Sequence, residues 1–211
     1  EPSVKICGHL LGITLMGVNS FIHACILYGK WHDWDGTPVD YPPLFYNGID
    51  TFSANLLSDV SDETVAVAKE IVKQRPSVDL SNVSHIYDWY MRCYSDDILD
   101  SSDLETAIRT NRAYVGLAHP TKETPDGKYV PDFSFRYITE DIPFGMAVMR
   151  GIAEIVGVKT PNMDKVLLWA QQKSDKEYLV DGRLCGKDLR ETRAPQKYGI
   201  TTLDGLLGLE N

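Results

Sequence analysis

The chain has 211 residues and a net charge of −9, and 43% of its residues are hydrophobic while 24% are charged. That composition supports a sizeable core in one large domain or two small ones. The acidic balance argues against nucleic acid as a main partner, because phosphates require clusters of Lys and Arg. None of the four cysteines has metal-ligand or redox-motif spacing, which predicts free thiols in a reducing, cytoplasmic compartment.

A long apolar run opens the chain. Its periodicity predicts one buried helix over residues 4–28. Steps of three and four residues place four side chains on one face of this helix: Met16, Asn19, His23 and Leu27. Residues 6–27 are numerous enough to span a bilayer, but the polar side chains within them are costly in hydrocarbon, so no membrane is expected. The first residue is Glu1 and not Met, which indicates a fragment of something longer.

Helical patterns continue along most of the chain. Further helices are predicted over residues 47–57, 62–74, 84–94, 142–156, 161–172 and 202–207, and after the capping-box pattern Ser102-Asp103-Leu104-Glu105. Pro and Gly punctuate residues 114–137, which predicts a long, functional loop with a short hairpin at most. Few segments alternate as strands do, and no G-x-G-x-x-G occurs. The sequence therefore predicts an all-α domain.

Two polar side chains interrupt the apolar face of the opening helix. His23 follows Asn19 by four positions in NSFIHACILYG. An imidazole titrates near neutral pH and suits general acid–base catalysis. The alternative is a core histidine bonded to a backbone carbonyl, and the pattern alone favours that alternative. Asn19 favours a wet pocket, because it places a second polar group on the same face.

An arginine and a tryptophan elsewhere also have two interpretations each. Arg136 lies between aromatic residues in FSFRYITED and can present its guanidinium to a carboxylate. The alternative is an ion pair with Glu140 or Asp141, and the pattern alone slightly favours that alternative. Trp89 in IYDWYMRCY can line a pocket or stack on a cation, but a core position is the simpler interpretation.

The stretch WHDWDG contains three possible metal ligands: His32, Asp33 and Asp35. Their spacing matches no standard metal site, and the composition is typical of an exposed turn. No metal site is therefore expected there.

Three stretches taken together resemble one enzyme family. NSFIHACILYG, TEDIPFGMAVMRGIAEIVGVKTP and TRAPQKYGITTLDGLL are similar to the C-terminal helical domain of the opine dehydrogenases, and the resemblance covers nearly the whole chain. It implies one bundle-like helical domain of the opine/6-phosphogluconate dehydrogenase type over residues 1–211. Members of this family bind NADH mainly through an N-terminal Rossmann domain, so the resemblance implies that this domain is absent from the chain.

The resemblance also implies an activity. The family consists of NAD-dependent oxidoreductases acting on CH–NH groups, which couple an amino acid to a 2-oxo acid, usually pyruvate, and reduce the resulting imine. L-arginine is the expected amine, and alanine, glycine and taurine are the alternatives. The expected partners are these small molecules and the Rossmann domain of the same enzyme, in a monomer without nucleic acid or membrane.

Site residues follow from the same resemblance. His23 matches the catalytic histidine, which follows Asn19 on one helix. Arg136 matches a carboxylate clamp, and Asp141 matches an acidic residue grouped with both. Trp89 falls near the amine substrate. The resemblance therefore implies His23, Arg136 and Asp141 as catalytic residues, and Asn19, Trp89 and Arg136 as substrate-binding residues.

A helical interaction or dimerisation module without catalysis is the rival interpretation. It predicts that His23 is packed and dry. The enzyme interpretation predicts an open polar cleft that joins His23 to Arg136.

Overall fold

The computed structural model describes residues 8–210, and these form a helical domain with two small hairpins, which confirms the predicted all-α class. The α-helices are α1 Leu10–Leu15, α2 Asn19–Trp31, α3 Thr51–Gln74, α4 Ile86–Tyr94, α5 Leu104–Arg109, α6 Arg136–Thr139, α7 Ala147–Val156, α8 Pro161–Lys173 and α9 Leu203–Leu206. Short 3-10 turns span Arg112–Tyr114, Leu189–Glu191 and Pro195–Tyr198, and a π-helical turn spans Ile142–Met146. The antiparallel hairpins pair β1 Thr121–Glu123 with β2 Tyr129–Pro131, and β3 Leu179–Val180 with β4 Arg183–Leu184.

Helix α2 lies at the centre of the core. Phe21, Ile22, Ile26 and Leu27 are at most 2% exposed, and α2 packs against α3, α8 and the π-helical turn. Each such side chain contributes about 1.5–3 kcal/mol to the free energy of unfolding. Because neighbouring elements enclose α2, a polar side chain on its buried face must find its partner inside the protein.

The single opening helix predicted over residues 4–28 is wrong within the described part of the chain, and its predicted start lies outside that part. The structure has two helices, α1 and α2, separated by a turn around Gly17. The Gly17 N–H donates to the Thr14 carbonyl, and the Ser20 N–H donates to the Gly17 carbonyl. Both hydrogen bonds span three residues, whereas those of an α-helix span four. They turn the chain at Gly17, a residue type with poor helix propensity.

The stretch Leu10–Trp31 is long and apolar enough to cross a membrane by length and composition. However, 67% of its most apolar window is buried inside the fold. Burial of that kind is typical of a core helix, and it matches the packing of α2 against α3 and α8.

The two helices predicted over residues 47–57 and 62–74 are one continuous helix, α3. Asp50 caps its N-terminus by accepting a hydrogen bond from the Ser53 N–H at 2.8 Å. Polar residues lie between the two predicted segments. One of them, Ser61, is buried and its hydroxyl accepts from the Ile86 N–H at 2.8 Å. These polar groups therefore join α3 to α4 and do not end α3.

Other predicted boundaries agree with the structure, with one change of cap. Gly157 ends α7 with a φ of 78°, and Pro161 is the first residue of α8. The α5 cap is Asp103, not Ser102, since the Asp103 carboxylate accepts from the Thr106 N–H at 2.7 Å. The predicted hairpin within residues 114–137 forms as β1 and β2.

Candidate active site

His23 lies on the buried face of α2 and uses both ring nitrogens. Its Nδ1 is 2.7 Å from Oδ2 of Asp141, and its Nε2 is 2.8 Å from the hydroxyl of Tyr46. A carboxylate only accepts hydrogen bonds, so Nδ1 carries a proton. In the neutral ring, Nε2 then accepts the Tyr46 O–H. Asp141 thus sets the tautomer of His23, as the acid does in a catalytic triad.

The π-helical turn brings Asp141 to His23 across 118 positions of sequence. Asp141 directly precedes this turn, which packs against α2. The approach is close at Gly145, where an added Cβ would lie only 1.7 Å from the Ser20 Oγ. π-Helical turns are frequent at functional sites. Here the turn aligns Asp141 with the histidine face of α2.

We expect Gly145→Ala to lower the free energy of unfolding by about 1–3 kcal/mol, the usual cost of overpacking. The new methyl group would meet both Oγ and Cβ of Ser20. Ser20→Gly removes those atoms and leaves the Ser20 Cα at 3.6 Å, which is ordinary contact. Denaturant unfolding of both single variants and the double variant checks this. Additive losses in the double variant would contradict the assigned contact.

Aromatic rings surround the His23 imidazole. The Tyr137 ring stacks on it at 3.7 Å between centroids with 18° between planes, and Phe45 meets it edge-on at 5.8 Å. His23 is only 3% exposed. The predicted open polar cleft joining His23 to Arg136 is therefore wrong in this structure: the ring is packed, although both its nitrogens have polar partners.

Arg136 approaches the same tyrosine that stacks on His23. It begins α6, it is exposed, and its guanidinium carbon lies 5.7 Å from the centre of the Tyr137 ring. Among the described residues it forms no ion pair with a carboxylate, so the alternative pairing with Glu140 or Asp141 is absent there. Tyr137 therefore connects an exposed guanidinium to the buried imidazole.

The other two predicted site residues lie apart from the pair of His23 and Asp141. Asn19 is the exposed first residue of α2, one helical turn before His23. Trp89 is half-buried in α4, and its ring packs edge-on against Tyr90 and Tyr94. Within residues 8–210, no side-chain hydrogen bond or ring contact joins either residue to the imidazole.

Sequence reasoning missed the two tyrosines that contact His23. Burial raises the pKa of Tyr46, and the nearby Tyr137 adds to that rise. Burial also raises the pKa of Tyr137, against the lowering effect of Arg136. Both phenols therefore stay protonated at neutral pH. Tyr46 follows Phe45 in an apolar stretch, where nothing distinguishes it from a core aromatic residue, whereas the position of Tyr137 next to Arg136 was a usable signal.

Trp31 of the WHDWDG stretch is buried at the end of α2, and the residues after it form a surface turn. The Nδ1 of His32 is 3.1 Å from the Tyr28 carbonyl oxygen, and the Asp35 carboxylate accepts from the Thr37 N–H at 2.8 Å. In the part of the chain that the structure describes, no three His, Cys, Asp or Glu side chains are placed to hold a metal ion.

Comparison with known proteins places the chain in a family. Residues 6–174 match the family described as NAD/NADP octopine/nopaline dehydrogenase, alpha-helical domain. The chain is 57% identical over 206 residues to the tauropine dehydrogenase of Arabella iricolor, covering 98% of this chain and 52% of that protein. It is 51% identical over 207 residues to the octopine dehydrogenase of Mizuhopecten yessoensis, covering 98% of this chain and 51% of that protein.

Solved structures agree with these relatives. A structure of octopine dehydrogenase with NADH and L-arginine superposes with a TM-score of 0.95 at 48% identity, covering 100% of this chain and 52% of the other. A structure of octopine dehydrogenase with NADH and pyruvate gives a TM-score of 0.90 at 46% identity, covering 100% of this chain and 51% of the other. The chain spans about half the length of the relatives it matches. The protein therefore belongs to the octopine/nopaline dehydrogenase family, and it matches the α-helical domain of that family.

Proposed function

We propose that this chain is the substrate-binding half of an NAD-dependent opine dehydrogenase, which condenses an amino acid with pyruvate by reduction of their imine. The pairing of His23 with Asp141 at 2.7 Å carries the proposal. Condensation of an amine with a carbonyl group requires proton transfers near neutral pH, and a histidine held by a carboxylate supplies them. Relatives named tauropine and octopine dehydrogenase support this assignment.

Arg136 is the proposed clamp for a substrate carboxylate. Its guanidinium is exposed and pairs with no carboxylate of the described residues, so its donors face solvent. An arginine binds a carboxylate through two parallel hydrogen bonds, which fixes orientation as well as position. Because the Tyr137 ring lies beside both Arg136 and His23, a carboxylate bound here lies next to the proton-transfer centre.

Taurine is the proposed amine, ahead of L-arginine. The guanidinium of L-arginine requires a carboxylate or an aromatic face. The two site residues of these kinds that the resemblance implied are engaged: Asp141 with His23, and Trp89 with its neighbouring tyrosines. Taurine carries an amine and a sulfonate but no guanidinium, so it requires neither group. The 57% identity to a tauropine dehydrogenase supports this order, while octopine dehydrogenases at 50–51% identity keep L-arginine as the second candidate.

The described residues do not themselves fit a dinucleotide. Residues 8–210 form only two-stranded antiparallel hairpins, without the parallel β-α-β unit that places pyrophosphate at a helix N-terminus. We therefore propose that a separate Rossmann domain holds the NADH, as the ligand named in the structures of relatives suggests. The roles assigned to this chain are carboxylate binding by Arg136 and proton transfer at His23.

A monomer in a reducing, cytoplasmic compartment is part of the same proposal. Cys25 is buried as a free thiol, while Cys93 and Cys185 are exposed free thiols. Exposed unpaired thiols suit a compartment that keeps them reduced.

The test is turnover of the intact enzyme with NADH, pyruvate and one amine at a time. We expect taurine to give the highest kcat/KM, with L-arginine, alanine and glycine below it. Pyruvate without an amine is the control for simple ketone reduction. A higher kcat/KM for L-arginine would overturn the choice of amine, and no turnover with any of the four would favour the non-catalytic module.

A further inference from the structure

The position of Tyr46 raises a problem for direct catalysis by His23. Asp141 occupies Nδ1, so a substrate can exchange protons only with Nε2. The Tyr46 hydroxyl already occupies Nε2 at 2.8 Å. The Tyr137 ring stacks on a face of the His23 imidazole, and His23 is 3% exposed. Both nitrogens of His23 are therefore occupied by protein partners, so a substrate exchanges protons with the ring through one of them.

Tyr46 itself is held firmly. Its ring stacks on Tyr114 at 4.0 Å with 18° between planes, and Phe45 packs against it edge-on at 4.8 Å. It is 8% exposed. Moving Tyr46 aside would break these aromatic contacts and leave Nε2 buried without a partner, which is unfavourable for a buried polar group. The arrangement favours a hydroxyl that stays in place.

A phenol in this position can pass a proton on without moving. A hydroxyl donates one hydrogen bond and accepts others, so Tyr46 can accept from Nε2–H while donating to a substrate atom. Burial raises the pKa of Tyr46, so the group remains a phenol and does not compete with His23 as a charged base. Three groups contact the His23 ring: the Asp141 carboxylate at Nδ1, the Tyr46 hydroxyl at Nε2 and the stacked Tyr137 ring.

We propose that the Tyr46 hydroxyl relays protons between His23 Nε2 and the substrate. The proposal rests on the proposed function and adds a residue to it. When the carbinolamine loses water, its C–O bond breaks and the leaving hydroxyl takes the Tyr46 proton. The Tyr46 oxygen takes the Nε2 proton of the imidazolium, and the nitrogen lone pair forms the C=N bond. The products are water, a protonated imine and a neutral His23 that keeps its Nδ1 proton on the Asp141 side.

Tyr46→Phe in the intact enzyme tests the relay, because it keeps the ring and removes the hydroxyl. We expect kcat to fall about 10²–10³-fold, within the range of general acid–base catalysis, while KM for pyruvate changes by no more than about threefold because Arg136 is untouched. Tyr114→Phe is the matched control: it removes a hydroxyl from the ring stacked on Tyr46, and we expect it to retain kcat.

Nitrogen NMR reports the tautomer of His23, which would change if Tyr46 had a purely structural role. We expect Tyr46→Phe to retain the Nδ1–H tautomer, since Asp141 still holds it. If kcat is retained, or if kcat falls together with a change of tautomer, the relay is wrong. A wild-type enzyme that turns over no amine with pyruvate overturns the proposed function and the relay together, whereas an active wild type with an active Tyr46→Phe variant overturns the relay alone.

Discussion

Asp141→Asn is expected to lower kcat of the intact enzyme about 10³–10⁴-fold, the scale seen when the acid of a triad becomes an amide. The carboxylate accepts the Nδ1 proton of His23 at 2.7 Å. An asparagine can instead donate its N–H₂ to Nδ1, which moves the ring proton to Nε2. Neutral His23 then loses its basic nitrogen on the Tyr46 side, and the imidazolium loses its adjacent negative charge.

Steady-state kinetics with saturating pyruvate and amine measure this loss. Glu140→Gln is the matched control, because Glu140 precedes Asp141 in the chain but is exposed. It should retain kcat. An Asp141→Asn enzyme with wild-type kcat and an unchanged fold would show that the carboxylate only stabilises the domain.

Loss of stability in mild acid is the second large effect expected, and His119 is its source. The ring is 4% exposed, and its Nδ1 accepts the indole N–H of Trp31 at 3.1 Å. Burial, with a smaller effect of Lys30, lowers the pKa of His119 from 6.5 to about 3. Between these two values the unfolded chain binds a proton that the folded chain does not. The free energy of unfolding therefore decreases as the pH falls through this window, by up to about 1.4 kcal/mol per pH unit, and His119 has no such effect above the window.

His119→Asn isolates this contribution. An asparagine oxygen can replace Nδ1 as acceptor for Trp31, but it does not titrate. We expect the variant to lose less stability than the wild type between pH 6.5, the ordinary pKa of histidine, and pH 4.5 in urea unfolding experiments. His32→Asn, at an exposed ring, should keep the wild-type slope. Equal slopes for wild type and His119→Asn would mean that His119 is protonated in the folded domain.

Local signals predicted the helix boundaries where a single residue type determines the backbone. Gly157 adopts the left-handed conformation that ends α7, and Pro161 begins α8. The predicted division of α3 was wrong, because polar residues in its middle bond to a neighbouring helix, as Ser61 does to the Ile86 N–H. Tertiary contacts at such positions outweigh local preference, and a sequence pattern does not contain them.

In the candidate site, too, local signals were visible in the sequence and tertiary contacts were not. The imidazole on the buried face of α2 was visible as a polar residue in an apolar run, but its partner lies 118 positions away. Only the family resemblance indicated Asp141. Tyr46 carries no signal in the sequence, since a tyrosine among apolar residues has the pattern of a core residue. The packing of His23 was also unpredictable, because it depends on Tyr137 arriving from α6.

The most direct measurement is a double-mutant cycle of kcat for His23→Ala and Asp141→Asn in the intact enzyme. If the two residues act as one proton-transfer unit, His23→Ala loses about as much as the double variant, and the single losses do not add. A His23→Ala enzyme that keeps wild-type kcat with pyruvate and its amine would contradict the account.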